Sequence, residues 1–184
     1  DAGIDCLVEN GYAGLTTAAV ADRCAVSRGA MHHHFATRME LVSAVVEHVM
    51  YERMRRFLAD YFDALQSSPT KSMVEVATEK HWISVQGREY ASYLELAVAS
   101  RADNELAAHF LPAVRRYDEI WRREMIEAFP QWAADWDAFK LANDFVLAVH
   151  MGMVVHVPIF GDASRVEAVQ DLVVKTVNRL YRPD

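Results

Sequence analysis

"GLTTAAVADRCAVSRGAMHHHFATRMELV", residues 14–42, is the stretch whose apolar spacing decides the fold. Thr16 and Thr17 are N-cap residue types standing before a short helical pattern with Val20, Ala21 and Cys24 on its inner face. A tight turn at Ala25-Val26 follows. Ser27 can cap a second short helix reaching His34, with Ala30, Met31 and Phe35 as its inward positions. Thr37-Arg38-Met39-Glu40 is an S/T-x-x-E capping box, and it opens a long helix carrying Leu41, Val42, Val45, Val46 and Val49 toward Leu65. Two short helices joined by a turn of three or four residues form a helix-turn-helix, whose second helix is of a size to enter a major groove.

Outward from that stretch the chain reads as helical throughout. It has 184 residues, 52% of them hydrophobic, with only 7 Gly and 5 Pro. Ala, Leu, Val, Glu, Arg and Met dominate, most of them good helix formers, and no run alternates at period two for long enough to make a sheet. Upstream, Ile4, Leu7 and Val8 belong to a helix over residues 2–10 that Gly11 would end in a left-handed conformation. That helix is already under way at residue 1, so preceding residues of basic character are expected. Downstream, "SSPT" at 67–70 is a break, and helices are expected at 70–87, 89–101, 104–128, 134–157 and 164–181. Asp103 is a candidate cap, Pro112 predicts a kink, Gly161-Asp162 ends the apolar helix, and Ser164-Arg165-Val166-Glu167 is a second capping box. The expectation is an all-α chain of about nine helices. An N-terminal three-helix domain over 1–48 precedes a helical ligand-binding and dimerisation domain over 49–184.

Charge and cysteines narrow the function. The net charge is -7, which disfavours indiscriminate coating of nucleic acid. From Tyr12 to Arg38, however, Arg23, Arg28 and Arg38 oppose Asp22 alone. Cys6 and Cys24 lack a CxxC spacing and read as small buried hydrophobes in a reducing cytoplasm. The apolar run "FVLAVHMGMVVHVPIF", 145–160, is short for a membrane helix, so the reading is a helix buried in an assembly and no membrane partner. Successive helical residues diverge by about 100°. His32, His33 and His34 therefore do not converge on one metal, and no metal, cofactor or catalytic residue is expected. His34 is expected to pack near Phe35, with His32 and His33 facing outward.

Residues 14–42 resemble the N-terminal DNA-binding domain of the TetR family of bacterial transcriptional regulators. The Thr-Thr, Val-Ala, Val-Ser, His34-Phe35, Arg38 and Leu41 positions follow that motif without a gap. The resemblance implies operator DNA as partner, a small-molecule effector and a homodimer through the last two helices. It places Thr17 at a phosphate and Ser27, Arg28, Gly29 and Ala30 at the start of the recognition helix. Arg28 is the candidate base reader, since its fork can span guanine O6 and N7. His32 stands where the family commonly has Tyr, His33 faces outward beside it, and Arg38 stands where Lys is usual; both His32 and Arg38 would hold phosphate. Ala25 replaces the family's turn glycine. The resemblance also implies a pocket for an apolar or aromatic effector, for which Trp82, Tyr93, Phe110, Tyr117 and Trp121 are the candidates. The alternative is a helical carrier or enzyme with an idle helix-turn-helix; activation in place of repression is also open.

Overall fold

The computed structural model describes residues 1–67 and 71–181, so most of the SSPT break lies outside the described residues. Among the described residues there are nine α-helices, one 3₁₀ turn and no strand. The helices are α1 Ala2–Gly14, α2 Thr17–Arg23, α3 Arg28–His34, α4 Arg38–Ser67, α5 Met73–Val85, α6 Arg88–Ala99, α7 Asn104–Ala128, α8 Trp136–Phe160 and α9 Ala163–Tyr181; the 3₁₀ turn is Pro130–Ala133. The all-helical architecture is the one the sequence predicts.

Local chemistry sets most boundaries. Thr16, Ser27 and Ser72 each cap the helix that follows, their hydroxyl oxygens accepting from the backbone N–H of Ala19, Ala30 and Glu75 at 3.1 Å. The Thr37 hydroxyl accepts from Glu40 N at 3.2 Å, and the Glu40 carboxylate reaches back to Ala36 N at 2.8 Å. Asp103 caps α7 through Leu106 N at 2.9 Å. Helix α7 continues through Pro112. Gly161, at φ 67°, closes α8 in the left-handed region. Two expectations need correction. Gly11 has φ 65° but ψ -175°, so it breaks α1 with a kink and the helix resumes to Gly14. At α9 the Asp162 carboxylate accepts from the Ser164 N–H and hydroxyl at 2.9 and 2.8 Å, so Asp162 replaces Ser164 as the cap.

The chain divides into two compact units. The first comprises residues 1–54 and 87–121, the second 55–86 and 122–184. In the first unit Ile4 and Leu7 of α1, Val42, Val46 and Val49 of α4, Leu96 of α6, and Leu106 and Phe110 of α7 share one core, joined by Val20, Ala21 and Met31 from the short helices. Close approach at α1 depends on Gly3, where an added Cβ would collide with the Val45 side chain. Ser92 of α6 is fully buried, its hydroxyl donating to Ile4 O at 3.4 Å. The expected N-terminal module over 1–48 is thus packed within a unit that also contains α6.

In the second unit, α5, α8 and α9 pack together around Ala142, Val146, Val173 and Val177. Phe129, Trp132 and Phe139 stack in series at 4.5 and 4.4 Å between ring centroids. Helix α8 spans 25 residues, longer than the 16-residue apolar run suggests, and by length and composition alone it could cross a bilayer. One side of it is buried on α5 and α9. The other exposes Leu141 (60%), Val155 (52%) and Ile159 (70%), while Leu172 of α9 is 62% exposed. No atom lies within 4 Å of a Cβ added at Gly152, so it opens onto the same unfilled side.

Candidate nucleic-acid interface

The turn between α2 and α3 presents the site. Val26 N donates to Ala21 O at 3.0 Å and Ala25 N to Asp22 O at 3.2 Å. These are the two bonds of a Schellman ending, and they require a left-handed residue at the next position, normally glycine. Ala25 occupies it at φ 55° and is the only non-glycine residue with positive φ among the described residues. The turn that glycine would form freely is therefore held under strain. Because α2 ends at Arg23, Cys24 belongs to the turn and is exposed, not part of the inner face as expected; Cys6 is buried.

Helix α3 is anchored by one side chain. Met31 is buried in the core and Phe35 partly so, while Arg28, Gly29, Ala30, His32, His33 and His34 are exposed. Ala30 thus lies outside the core, because a seven-residue helix resting on one side chain has a narrow buried face. His34 is likewise exposed, its ring edge-on to His33 at 5.8 Å, and does not pack inward as expected. Thr17, Ala18, Arg28, Met31 and His32 line one cleft of about 240 Å³ between the start of α2 and the outer side of α3. Three residues far apart in spacing, Thr17, Arg28 and His32, are thereby brought onto one surface. Among the described residues no group of three or more His, Cys, Asp or Glu could hold a metal ion.

The three arginines have separate fates. Arg23 is tied to α1, hydrogen-bonding both oxygens of Glu9 and standing 3.9 Å from Asp5. The Arg23 contact holds the Glu9 carboxyl below its usual range. Asp5 is also paired with Arg88 of α6. Arg38 turns inward: Nε donates to Leu15 O at 2.9 Å, Nη2 to Tyr12 O at 2.8 Å and Nη1 to the Tyr12 hydroxyl at 3.2 Å. Its guanidinium lies 4.4 Å above the Tyr12 ring. Burial raises the Tyr12 phenol above its usual range, with Arg38 opposing. Arg38 therefore clasps the link between α1 and α2, a role that spacing alone did not reveal. Arg28 is exposed and takes part in no ion pair among the described residues, so its fork is available to an outside anion or base edge.

The ligand candidates separate. Phe110 belongs to the core of the first unit and meets Tyr93 at 5.7 Å, and Tyr93 and Tyr117 pack against that core. Trp121 is half-buried at the end of that unit. Trp82 belongs to the second unit, its ring 5.4 Å from that of the buried His150.

A strained turn, a short helix lifted from the core on one anchor, and an exposed arginine beside a cleft define a helix-turn-helix DNA-binding regulator. Residues 1–45 match the family described as bacterial regulatory proteins, tetR family. The HTH-type transcriptional regulator BetI of Paraburkholderia phytofirmans is 25% identical over 179 residues, covering 79% of this chain and 88% of that protein. An uncharacterized HTH-type transcriptional regulator of Mycobacterium bovis is 30% identical over 114 residues, covering 57% of this chain and 52% of that protein. Among solved structures, the multidrug binding protein EbrR complexed with imidazole superposes with a TM-score of 0.66 at 19% identity, over 98% of this chain and 90% of that one. A TetR-family member from Streptomyces coelicolor A3 gives 0.60 at 20% identity, over 98% and 94%. The structural likenesses bear on the fold.

Proposed function

We propose that this regulator is a repressor released from its operator by a small apolar or aromatic effector, acting in the cytoplasm as a homodimer and without catalytic activity. The observation that carries the DNA-reading part is the surface where exposed Arg28 shares a cleft with Thr17 and His32. In this reading Arg28 reads a base edge, Thr17 and His32 hold phosphates, His33 faces the backbone beside them, and Ser27, Gly29 and Ala30 allow close approach. Arg38 acts on DNA indirectly, by fixing the start of α2 on which Thr17 sits. The functional division is a DNA-binding module over 1–48 and an effector and dimerisation region over 49–184. Tyr93, Phe110, Tyr117 and Trp121, all of the first unit, are the proposed effector contacts.

Dimerisation is supported by the open apolar sides of α8 and α9. Leu141, Ala148, Gly152, Val155 and Ile159 fall at seven-, four-, three- and four-residue steps, the spacing of a helix-packing seam. Two helices from each protomer would bury that seam in a four-helix bundle about a two-fold axis. The effector acts to the extent that it favours the DNA-incompetent state. That EbrR, a protein of similar fold, is a multidrug binding protein supports a small-molecule effector.

The experiment is fluorescence anisotropy with duplex DNA from upstream of the chain's own coding region, at several salt concentrations. Binding should weaken steeply with salt. Arg28→Ala should lose affinity unevenly across operator variants, by about 1–3 kcal/mol where guanine is contacted. Uniform weakening would assign Arg28 to phosphate instead, and an unchanged affinity would remove α3 as the reader.

A further inference from the structure

The exposed side of α3 is narrow in chemistry. Around the helix axis Arg28 and His32 fall to one side of the Met31 anchor, where both line the cleft. Ala30 and His34 fall to the other side, and Gly29 and His33 stand opposite the anchor. Between Thr17 and His34 there is no Asn, Gln or Glu, and the single carboxylate, Asp22, lies at the far end of α2 from the cleft. Residues 1–48 contain no lysine, and their other two arginines are held, Arg23 by Glu9 and Arg38 by Tyr12 and Leu15. We propose that Arg28 and Gly29 together are the specificity element of this chain, so that each operator half-site is fixed strongly at one base pair only, a G·C pair read from its guanine edge. The proposal deepens the DNA reading above and rests on it.

The major groove sets the rule. Guanine offers two acceptors side by side, O6 and N7, which an arginine fork spans; adenine calls for a donor and an acceptor on one planar group, and cytosine for an acceptor. Arg28 carries donors alone. No exposed side chain of α3 has the amide that pairs with adenine or the carboxylate that accepts from cytosine. The two nitrogens of an imidazole point away from each other, so a histidine brings one of them to a base edge. As a donor it meets the N7 that guanine and adenine share; as an acceptor it meets the amino groups of adenine and cytosine alike. The Ser27 and Thr17 hydroxyls are equally indifferent, and the Ala30 methyl adds at most an apolar contact to a thymine methyl. The histidines therefore add affinity without singling out a base.

Gly29 lets the fork arrive. It lies within α3 without a positive φ, and a Cβ added there would meet nothing nearer than Ser27 Oγ at 3.9 Å. Neither the backbone nor the packing of the protein calls for glycine at this position, whereas glycine weakens a helix relative to alanine. The missing side chain leaves the outer side of α3 bare next to Arg28, the shape that suits a backbone closing on a groove.

The test selects duplexes from a pool of random sequence with the full chain at low salt, then measures the selected duplexes by fluorescence anisotropy. Each half-site should keep one guanine whose replacement weakens binding at least about tenfold, while replacement at any other position costs less than about fivefold. Arg28→Gln should move the preference at that position from guanine to adenine. Gly29→Ala should unfold at or above the parent's temperature yet bind the selected duplex at least about tenfold more weakly, a pairing that a purely structural glycine would not give. Two or more positions of equal stringency, a required base other than guanine, guanine retained by Arg28→Gln, or Gly29→Ala binding as the parent does would each overturn the proposal and leave the DNA reading standing. Retention of the pool without enrichment would do the same. No retention of any duplex would overturn the DNA reading and the proposal with it.

Discussion

At the scale of single residues, two positions carry more energy than their size suggests. Ala25 holds a left-handed backbone where glycine would be unstrained. Ala25→Gly should stabilise the protein by about 1 kcal/mol, less than the full conformational cost because glycine also gains freedom in the unfolded chain. Chemical denaturation measures this, and operator affinity should change little if the turn keeps its geometry. His150 is the second. Burial pushes its pKa down from 6.5 to about 4 in the folded state. The unfolded chain therefore binds the proton more readily across that interval. The stability this group contributes is present above about pH 6.5 and is lost as pH falls through about 4, a loss of up to about 3 kcal/mol. Unfolding midpoints across that range should show the loss, and His150→Phe should flatten it.

At the scale of elements, the legible features were those set by local chemistry. The capped starts after Thr16, Ser27 and Asp103 follow from side chains one turn away from the amide they satisfy. What the sequence concealed depends on partners remote along the chain. Arg38 reads as a surface cation, yet its fork closes on Tyr12 and Leu15, 26 and 23 positions away. Arg23 looks like part of a basic face until α1 brings Glu9 and Asp5 beside it. Cys24, Ala30 and His34 were misplaced because periodicity assumes a helix long enough to have a complete inner face. Ser164 lost its cap role to Asp162, whose carboxylate accepts from the Ser164 amide two residues on. Of the candidate interface, Thr17, Arg28 and His32 were nameable from the motif, but their common cleft was not. The clasp yields its own expectation. Arg38→Lys keeps the charge but loses the fork, so stability should fall by about 1–2 kcal/mol. Operator affinity should fall with it, because the start of α2 is no longer fixed; denaturation and anisotropy on the same variant separate the two losses.

At the scale of the whole molecule, the α8 helix leaves an exposed apolar side. Residues as exposed as Leu141 and Ile159, repeated along one helix, are costly in water unless covered. Ile159→Glu combined with Leu141→Glu should convert the proposed dimer to a 20.8 kDa monomer by light scattering. The helices should remain folded by circular dichroism, since neither side chain belongs to the α8–α9 core. Operator affinity should drop far below that of the parent, because a monomer places one reader where two-fold sites need two. An unchanged mass would remove α8 as the contact.

The turn before α3 also makes the chain an instrument for observing itself. It contains two cysteines, one sealed in the core and one, Cys24, open to solvent three positions ahead of the reading helix's cap. A maleimide dye or nitroxide will attach at Cys24 and leave Cys6 untouched, without any engineered thiol. In the proposed two-fold pair the two labels form a ruler between the reading heads, so pulsed dipolar spectroscopy can test whether an effector and operator DNA change their separation.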